Sequence, residues 1–182
     1  MLCHSHLREP HVCNSNTGPF HLQQTFYADV INNKSITFDW DFKLSLMADF
    51  VRGMEYLHST SLKAHGRLKS TNCVVSCRYV LKITDFGIPK IYSLTGSYPS
   101  YHPEEELWTA PELLRDETAA MVGTKPGDVY AFGIIMHEVF YQTKPFGMED
   151  ASAEEILERV MSQEKPPFRP KASSSSHHRI LL

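Results

Sequence analysis

Between residues 39 and 59 the hydrophobic side chains recur at intervals of three and four, the spacing of one face of an amphipathic helix. The apolar positions are Leu46, Met47, Phe50, Val51, Met54 and Leu57. Asp39 precedes this stripe and can cap the first turn, and the pattern fades near His58 and Ser59. The pattern therefore predicts a first helix of about 18 residues.

Two short runs rich in β-branched residues follow the helix, Cys73–Val75 and Tyr79–Ile83. Only Ser76, Cys77 and Arg78 separate the runs, and such a short connection is typical of a tight turn. The pattern predicts one small β-hairpin and few other strands, so we expect a mainly α protein of the α+β type.

Residues 88–109 are rich in Ser, Tyr, Pro and Gly without regular spacing, and we expect a long surface loop. We interpret the run Glu104, Glu105 and Glu106 as a solvated face, and Leu107 and Trp108 as the side chains that dock the loop. Hydroxyl groups that could accept phosphate belong to Tyr92, Ser93, Thr95, Ser97, Tyr98, Ser100 and Tyr101. The simpler alternative is that this loop is only solvated.

The second half of the chain predicts a short helix, a buried helix and a surface helix. Pro126 suits the start of the buried helix, because proline is favoured in a first turn, and Val129–Tyr141 is apolar nearly all round. Ala151–Met161 alternates apolar and acidic residues at helical spacing and is predicted to lie at the surface. We expect Pro166 and Pro167 to end it.

The two ends of the chain show neither helical nor strand spacing. We predict a disordered arm at 1–26, one partial domain at 27–170 and a disordered tail at 171–182. The arm contains Cys3, His4, His6, His11, Cys13 and His21. A zinc site there is the weaker alternative, because the spacing offers no second pair of ligands, and we expect no metal site.

The composition fits about one globular domain, since 42% of the 182 residues are hydrophobic. A formal net charge of −3 argues against a nucleic-acid binder, and four Cys are too few for a disulfide-stapled scaffold. No stretch approaches the roughly 18 apolar residues of a membrane span, and the N-terminus lacks the apolar core of a signal peptide. These features predict a cytoplasmic chain without a membrane span.

Three short motifs occur in the order and spacing of a protein kinase's catalytic lobe. They are a DFG triplet at Asp85, Phe86 and Gly87, an APE triplet at Ala110, Pro111 and Glu112, and an HRDLxxxN-like string at His65 to Asn72. Each motif alone is weak evidence. Together they predict a kinase-like lobe, because the predicted hairpin lies between the HRDLxxxN-like string and DFG, and the long loop lies between DFG and APE.

Longer strings make the resemblance more specific. HGRLKSTNCVV, VLKITDFG, LWTAPELL and GDVYAFGIIMHEV resemble the kinase-homology domain of receptor (particulate) guanylyl cyclases. The resemblance covers roughly Tyr27 to Pro170. It implies a protein-kinase-like C-lobe fragment, helical with one small β-hairpin, and we expect the N-lobe, with its glycine-rich loop and phosphate-pairing Lys, to be absent from this chain.

The resemblance places Arg67 where a kinase has the Asp that accepts the substrate proton. A guanidinium stays protonated and offers no lone pair, so Arg67 cannot act as a general base. Asn72 and Asp85 match the magnesium-binding positions and Lys69 could touch a phosphate, so these are the candidate nucleotide-binding residues. The alternatives are that Asp85 only forms a turn and that Asn72 only bonds nearby backbone.

The remaining motif residues are assigned structural roles: Phe86, Gly87, Ala110 and Pro111 complete the DFG and APE triplets. The resemblance implies that His65 braces the DFG turn. Asp128 is expected to cap the buried helix and to bind backbone amides of the motif loop. Glu112 is expected to be a buried carboxylate without its usual Arg partner.

These features lead to three functional hypotheses. The first is a non-catalytic, regulatory kinase-homology fragment of a receptor guanylyl cyclase, and the second is a segment of an active guanylate cyclase whose cyclase domain lies outside the chain. The third, an active protein kinase, lacks a base between His65 and Asn72. We expect no cofactor for the chain alone, ATP with Mg²⁺ in an intact parent, and other receptor-cyclase domains as partners, with a dimer as one arrangement.

Overall fold

The computed structural model describes residues 24–25, 31–33, 35, 37–76, 78–86, 94–96, 102–148 and 150–171. Its helices are α1 (Trp40–Ser59), α2 (Pro111–Leu114), α3 (Glu117–Val122), α4 (Lys125–Tyr141) and α5 (Ala153–Met161). Its strands are β1 (Gln24–Thr25), β2 (Cys73–Val75) and β3 (Leu81–Ile83), and single 3₁₀ turns lie at Ser70–Asn72, Pro103–Glu106 and Pro145–Gly147. The mainly helical fold with a small hairpin is confirmed.

Helix α1 begins and ends close to where the sequence predicts. Asp39 caps it through a 2.7 Å hydrogen bond donated by the backbone N–H of Phe42 to Oδ1. At the other end, the Thr60 hydroxyl donates to the carbonyl of Leu57. Its buried face is formed by Leu46, Met47, Phe50, Met54 and Leu57. Local signals set this helix because cap and stripe lie within one short segment.

The sheet has one strand more than predicted within the described residues. β2 pairs antiparallel with β3, with Val74 opposite Lys82, and β1 adds to the other edge of β2. β1 belongs to the segment predicted as an arm, but two residues are too short for a strand pattern to register. The second hairpin strand starts at Leu81 and not at Tyr79, because Tyr79 takes a left-handed turn conformation with φ 57°.

Helix α4 runs through the core as predicted, but its cap differs. Thr124 is the N-cap and accepts a hydrogen bond from the backbone N–H of Gly127. Asp128 lies inside the first turn, so the prediction that it caps the helix is wrong. Phe132 stacks on Phe50 of α1 with ring centroids 4.9 Å apart.

Two helices at the periphery depart from the sequence expectations. One short helix is predicted before the buried helix, and the structure has two there, α2 and α3. Asp116 caps α3 by accepting from two backbone N–H groups. α5 is capped by Ser152 and buries Ile156, Leu157 and Val160. It ends at Met161, before Pro166, so the prolines do not terminate it.

Several predictions fall on residues outside the described set. They concern the arm apart from Gln24 and Thr25, the tail after Lys171, the zinc alternative, Gly87, the loop residues 88–93 and 97–101, and the phosphorylation candidates other than Thr95. Among the helices that the structure describes, none is long and apolar enough to cross a membrane.

Candidate functional site

The loop that carries the HRDLxxxN-like string, residues 65–72, is called the motif loop below. Asp128 holds its start: Oδ2 accepts from the backbone N–H of His65 at 2.8 Å and Oδ1 from that of Gly66 at 3.0 Å. The His58 ring nitrogen Nε2 also lies 2.8 Å from Oδ2. Asp128 is only 2% exposed. One buried carboxylate therefore fixes the loop to helices α4 and α1, and its contacts match the predicted amide-binding role.

His65 connects the motif loop to the segment before Asp85. Its ring is 1% exposed, and burial lowers the pKa of His65, which keeps the imidazole neutral. Nε2 lies 2.8 Å from the carbonyl oxygen of Thr84, and Nδ1 lies 3.4 Å from the backbone nitrogen of Arg67. A neutral ring with its proton on Nε2 donates to Thr84 and accepts from Arg67. This is the geometry expected of a brace.

A close backbone contact also shapes the start of the loop. Gly66 has φ 82° and Gly123, at the end of α3, has φ 73°. A Cβ placed on Gly123 would lie 2.1 Å from the Cα of Gly66. The two backbone segments come this close only because Gly123 carries no side chain. Sequence analysis missed this contact, and an unexplained glycine after a short helix was its one local signal.

The candidate magnesium ligands make mainly backbone and neighbouring contacts. The buried Asn72 side chain donates from Nδ2 to the backbone carbonyl of Arg67 at 3.0 Å, and the backbone carbonyl of Asn72 accepts from the N–H of Thr84 at 2.8 Å. Asp85 is exposed in a left-handed conformation, φ 56°, with Oδ2 accepting from the Thr84 hydroxyl at 3.4 Å. The fold thus brings Asn72 beside the start of the DFG triplet. Phe86, the second residue of that triplet, is 54% exposed.

The two cations of the motif loop are paired with acidic residues from the turn Pro103–Glu106, called the acidic turn below. Arg67 Nη2 lies 3.4 Å from Glu106 Oε1 and 3.5 Å from Glu105 Oε2, and Lys69 Nζ lies 3.5 Å from Glu105 Oε1. The Thr109 hydroxyl donates to Glu106 Oε2 at 2.7 Å. The prediction of a merely solvated acidic face is therefore wrong, because two of its three carboxylates face the loop.

Between the motif loop, the acidic turn and α4 lies a small cleft. Its lining includes Arg67, Lys69, Glu105, Trp108 and Asp128, and its free volume is about 20 Å³. That is room for about one water molecule. The candidate magnesium ligands Asn72 and Asp85 do not line this cleft, whereas Lys69, the candidate phosphate contact, does line it and is paired there with Glu105. No group of three or more metal-ligating side chains occurs among the described residues.

Behind the motif loop lies a buried carboxyl group that sequence analysis did not single out. Glu138 of α4 is 0% exposed; Trp108 Nε1 donates to its Oε2 at 2.7 Å, and the Ser70 hydroxyl lies 3.0 Å from its Oε1. Burial raises the pKa of Glu138 to about 8, and burial also raises the pKa of the neighbouring Cys73 thiol. An acidic residue within an apolar helix was the available signal. Trp108 docks the loop as predicted, and Glu138 is the acceptor of its indole N–H group.

The APE triplet forms the start of α2. Ala110 is fully buried at its N-cap, and Pro111 occupies the first turn. Glu112 is exposed, so the expectation of a buried, unpaired carboxylate is wrong. Its side chain stays in contact with water, and the desolvation cost of a buried charge does not arise.

Comparison with known proteins agrees with this geometry. The sequence model of the protein tyrosine and serine/threonine kinase family matches residues 12–182. The chain belongs to this family. It is 44% identical over 156 residues to atrial natriuretic peptide receptor 2 of Anguilla japonica, covering 84% of this chain and 15% of that protein. It is 48% identical over 145 residues to retinal guanylyl cyclase 2 of Bos taurus, covering 78% and 13%.

A third relative is the receptor-type guanylate cyclase gcy-28 of Caenorhabditis elegans, 42% identical over 159 residues, covering 81% of this chain and 12% of that protein. The resemblance to the kinase-homology domain of receptor guanylyl cyclases is thereby confirmed. The chain spans only about one seventh of the length of these curated relatives.

Proposed function

We propose that this chain is a non-catalytic kinase-homology segment of a receptor guanylyl cyclase with a regulatory, protein-binding role in cGMP signalling. The names of the relatives supply the signalling context. The observation that carries the non-catalytic assignment is Arg67. A permanent cation stands at the position where phosphotransfer requires a proton acceptor.

Nearby carboxylates do not replace the missing base. Glu106 binds Arg67 through one oxygen and Thr109 through the other, and Glu105 pairs with both cations of the motif loop. Both oxygens of Asp128 accept backbone N–H groups in a buried position. A general base must reach the acceptor hydroxyl at hydrogen-bond distance, and each of these carboxylates is already held elsewhere.

Nucleotide binding is proposed only for a longer parent protein that contains this chain. There, ATP with Mg²⁺ is the expected ligand of a complete cleft, with Asn72 and Asp85 as oxygen donors of the kind that magnesium prefers. In this chain Lys69 is paired with Glu105 instead of with a phosphate. No step of the proposed role depends on bound nucleotide.

The proposed partners are the other domains of a receptor guanylyl cyclase, in a dimeric assembly on the cytoplasmic side of the membrane. The observation in favour is coverage, since the chain matches 12–15% of each relative and the remainder must hold the other domains. The same observation favours a second candidate, in which the chain is one segment of an active cyclase. A transcript that joins these residues to a cyclase domain would support that candidate.

A co-expression experiment tests the regulatory role. The chain is produced in cells beside a receptor guanylyl cyclase, and cGMP is measured with and without the receptor's activating ligand. We expect the chain to associate with the receptor and to change cGMP output, whereas the loop-disrupting variant Asp128→Ala, matched for expression, should not. Unchanged cGMP and no association at equal expression would contradict the proposal.

A further inference from the structure

The acidic turn and the motif loop meet through charge, although they lie far apart in sequence. Arg67 and Glu106 are 39 residues apart, and their contact is part-buried. The Arg67, Lys69 and Glu106 side chains are 29%, 19% and 21% exposed, while Glu105 is 45% exposed. Partial burial reduces screening by solvent, so these pairs are stronger than the same charges on an open surface.

Glu105 bridges the cations and Glu106 is fixed in place. Glu105 uses one oxygen for Arg67 and the other for Lys69. Glu106 is oriented by the Thr109 hydroxyl. Residues 103–109 are therefore tied to the motif loop by two carboxylates, and Trp108 ties the same segment to Glu138 on the inner side.

In kinases, a loop at this place is ordered when an added phosphate meets an Arg side chain. A phosphate is a negatively charged group with several acceptor oxygens, and two adjacent carboxylates present the same chemistry without modification. We propose that Glu105 and Glu106 hold the acidic turn against Arg67 and Lys69 without phosphorylation, and we call these ion pairs the lock. The same pairs keep both cations from binding phosphate ligands. The lock would hold whether or not the chain regulates a cyclase.

Hydrogen exchange over residues 102–110 tests the lock in the full chain. The double variant Glu105→Gln/Glu106→Gln keeps the shape of both side chains and removes their charge. We expect exchange in this segment to rise about fivefold, with no change in α1. Glu104→Gln is the matched control, because Glu104 lies in the same turn, is exposed, and makes no ion pair within the described residues.

A charge swap distinguishes pairing from a loss of fold. Arg67→Glu should loosen the segment as the Gln variant does, and Arg67→Glu with Glu106→Arg should restore slow exchange. Phosphatase treatment of protein purified from eukaryotic cells should leave the exchange unchanged. The lock would be overturned if the Gln variant exchanged like the wild type, if the swap restored nothing, or if dephosphorylation loosened the segment.

Discussion

The two sides of the motif loop differ in chemistry. On the inner side, Asp128, His65 and Glu138 are almost fully buried and make short hydrogen bonds to backbone or to Trp108. On the outer side, Arg67 and Lys69 are partly exposed and form longer ion pairs with the acidic turn. The inner contacts set the backbone of the loop, whereas the outer side chains decide what it can do chemically.

The backbone of the motif loop is held by Asp128 and Asn72 through its own N–H and carbonyl groups, and not through the side chain of Arg67. Asp128 fixes the backbone N–H groups of His65 and Gly66 whatever side chain follows. Replacing a carboxylate by Arg67 therefore alters the chemistry of the outer side while the inner scaffold persists. Changes on the inner side should cost much stability, and changes on the outer side should cost little.

The largest expected effect comes from Asp128→Ala. It leaves a buried backbone N–H group of His65, a part-buried one of Gly66 and the His58 ring without their acceptor, and we expect a loss of about 4 kcal/mol in the free energy of unfolding. The control is Asp116→Ala, which also removes a carboxylate that accepts two backbone N–H groups, but at an exposed helix cap. That loss should be about 1 kcal/mol. Equal losses in urea denaturation would contradict the claim that the buried position of Asp128 makes its contacts more stabilising than those of an exposed cap.

The next effect is a pH dependence that arises from Glu138. Burial raises its pKa from an ordinary 4.5 to about 8, so the folded chain holds a proton that the unfolded chain releases. Unfolding free energy should therefore fall as pH rises from about 4.5 to about 8, by about 2–4 kcal/mol from this group. Glu138→Gln, which has nearly the same shape and keeps an acceptor for the indole N–H of Trp108, should remove this slope.

The readout is the difference in unfolding free energy between wild type and Glu138→Gln at each pH. The lowered pKa of His65 acts with the opposite sign below its usual 6.5, because there the unfolded chain binds the extra proton. His65 is present in both proteins, so the difference isolates Glu138. A difference that stays constant from pH 5 to 9 would show that Glu138 is charged in the folded chain.

A pair of glycine variants gives the smallest effect and sharpens the comparison further. Gly123→Ala places a methyl group against the backbone of Gly66 in a left-handed conformation, and we expect a loss of about 2–3 kcal/mol. Gly133→Ala meets no atom within 4 Å in helix α4 and should stabilise by about 0.5–1 kcal/mol. Similar melting temperatures for both variants would mean that Gly123 and Gly66 do not meet as described.

Features set by neighbouring residues were predictable from the sequence. Helix α1 contains its own cap and apolar stripe, and the DFG and APE triplets are recognised from their letters and their order along the chain. The position of Arg67 in the motif is likewise read directly from the sequence, and the proposed non-catalytic role rests on it. The local pattern gave a wrong cap where two nearby residues could each cap the same helix. Thr124 caps α4, and Asp128 binds the motif loop instead.

Features that join distant segments could not be predicted in the same way. The pairing of Arg67 with Glu106 depends on where the fold places a turn 39 residues away, and the hydrogen bond from His65 to Asp128 spans 63 residues. A run of three acidic residues reads as solvated until the cations opposite it are known. The same holds for Gly123, whose need for a hydrogen side chain arises only when α3 meets the motif loop.

Phosphate transfer by the purified chain tests the central claim most directly. The chain is incubated with radiolabelled ATP, Mg²⁺ and a mixed peptide substrate, and covalent label is compared with that of Asp85→Asn, which removes a candidate magnesium ligand. We expect both proteins to give background label only, because Arg67 cannot accept a proton. Label on the chain or on the peptide that exceeds background and disappears in Asp85→Asn would contradict the non-catalytic assignment.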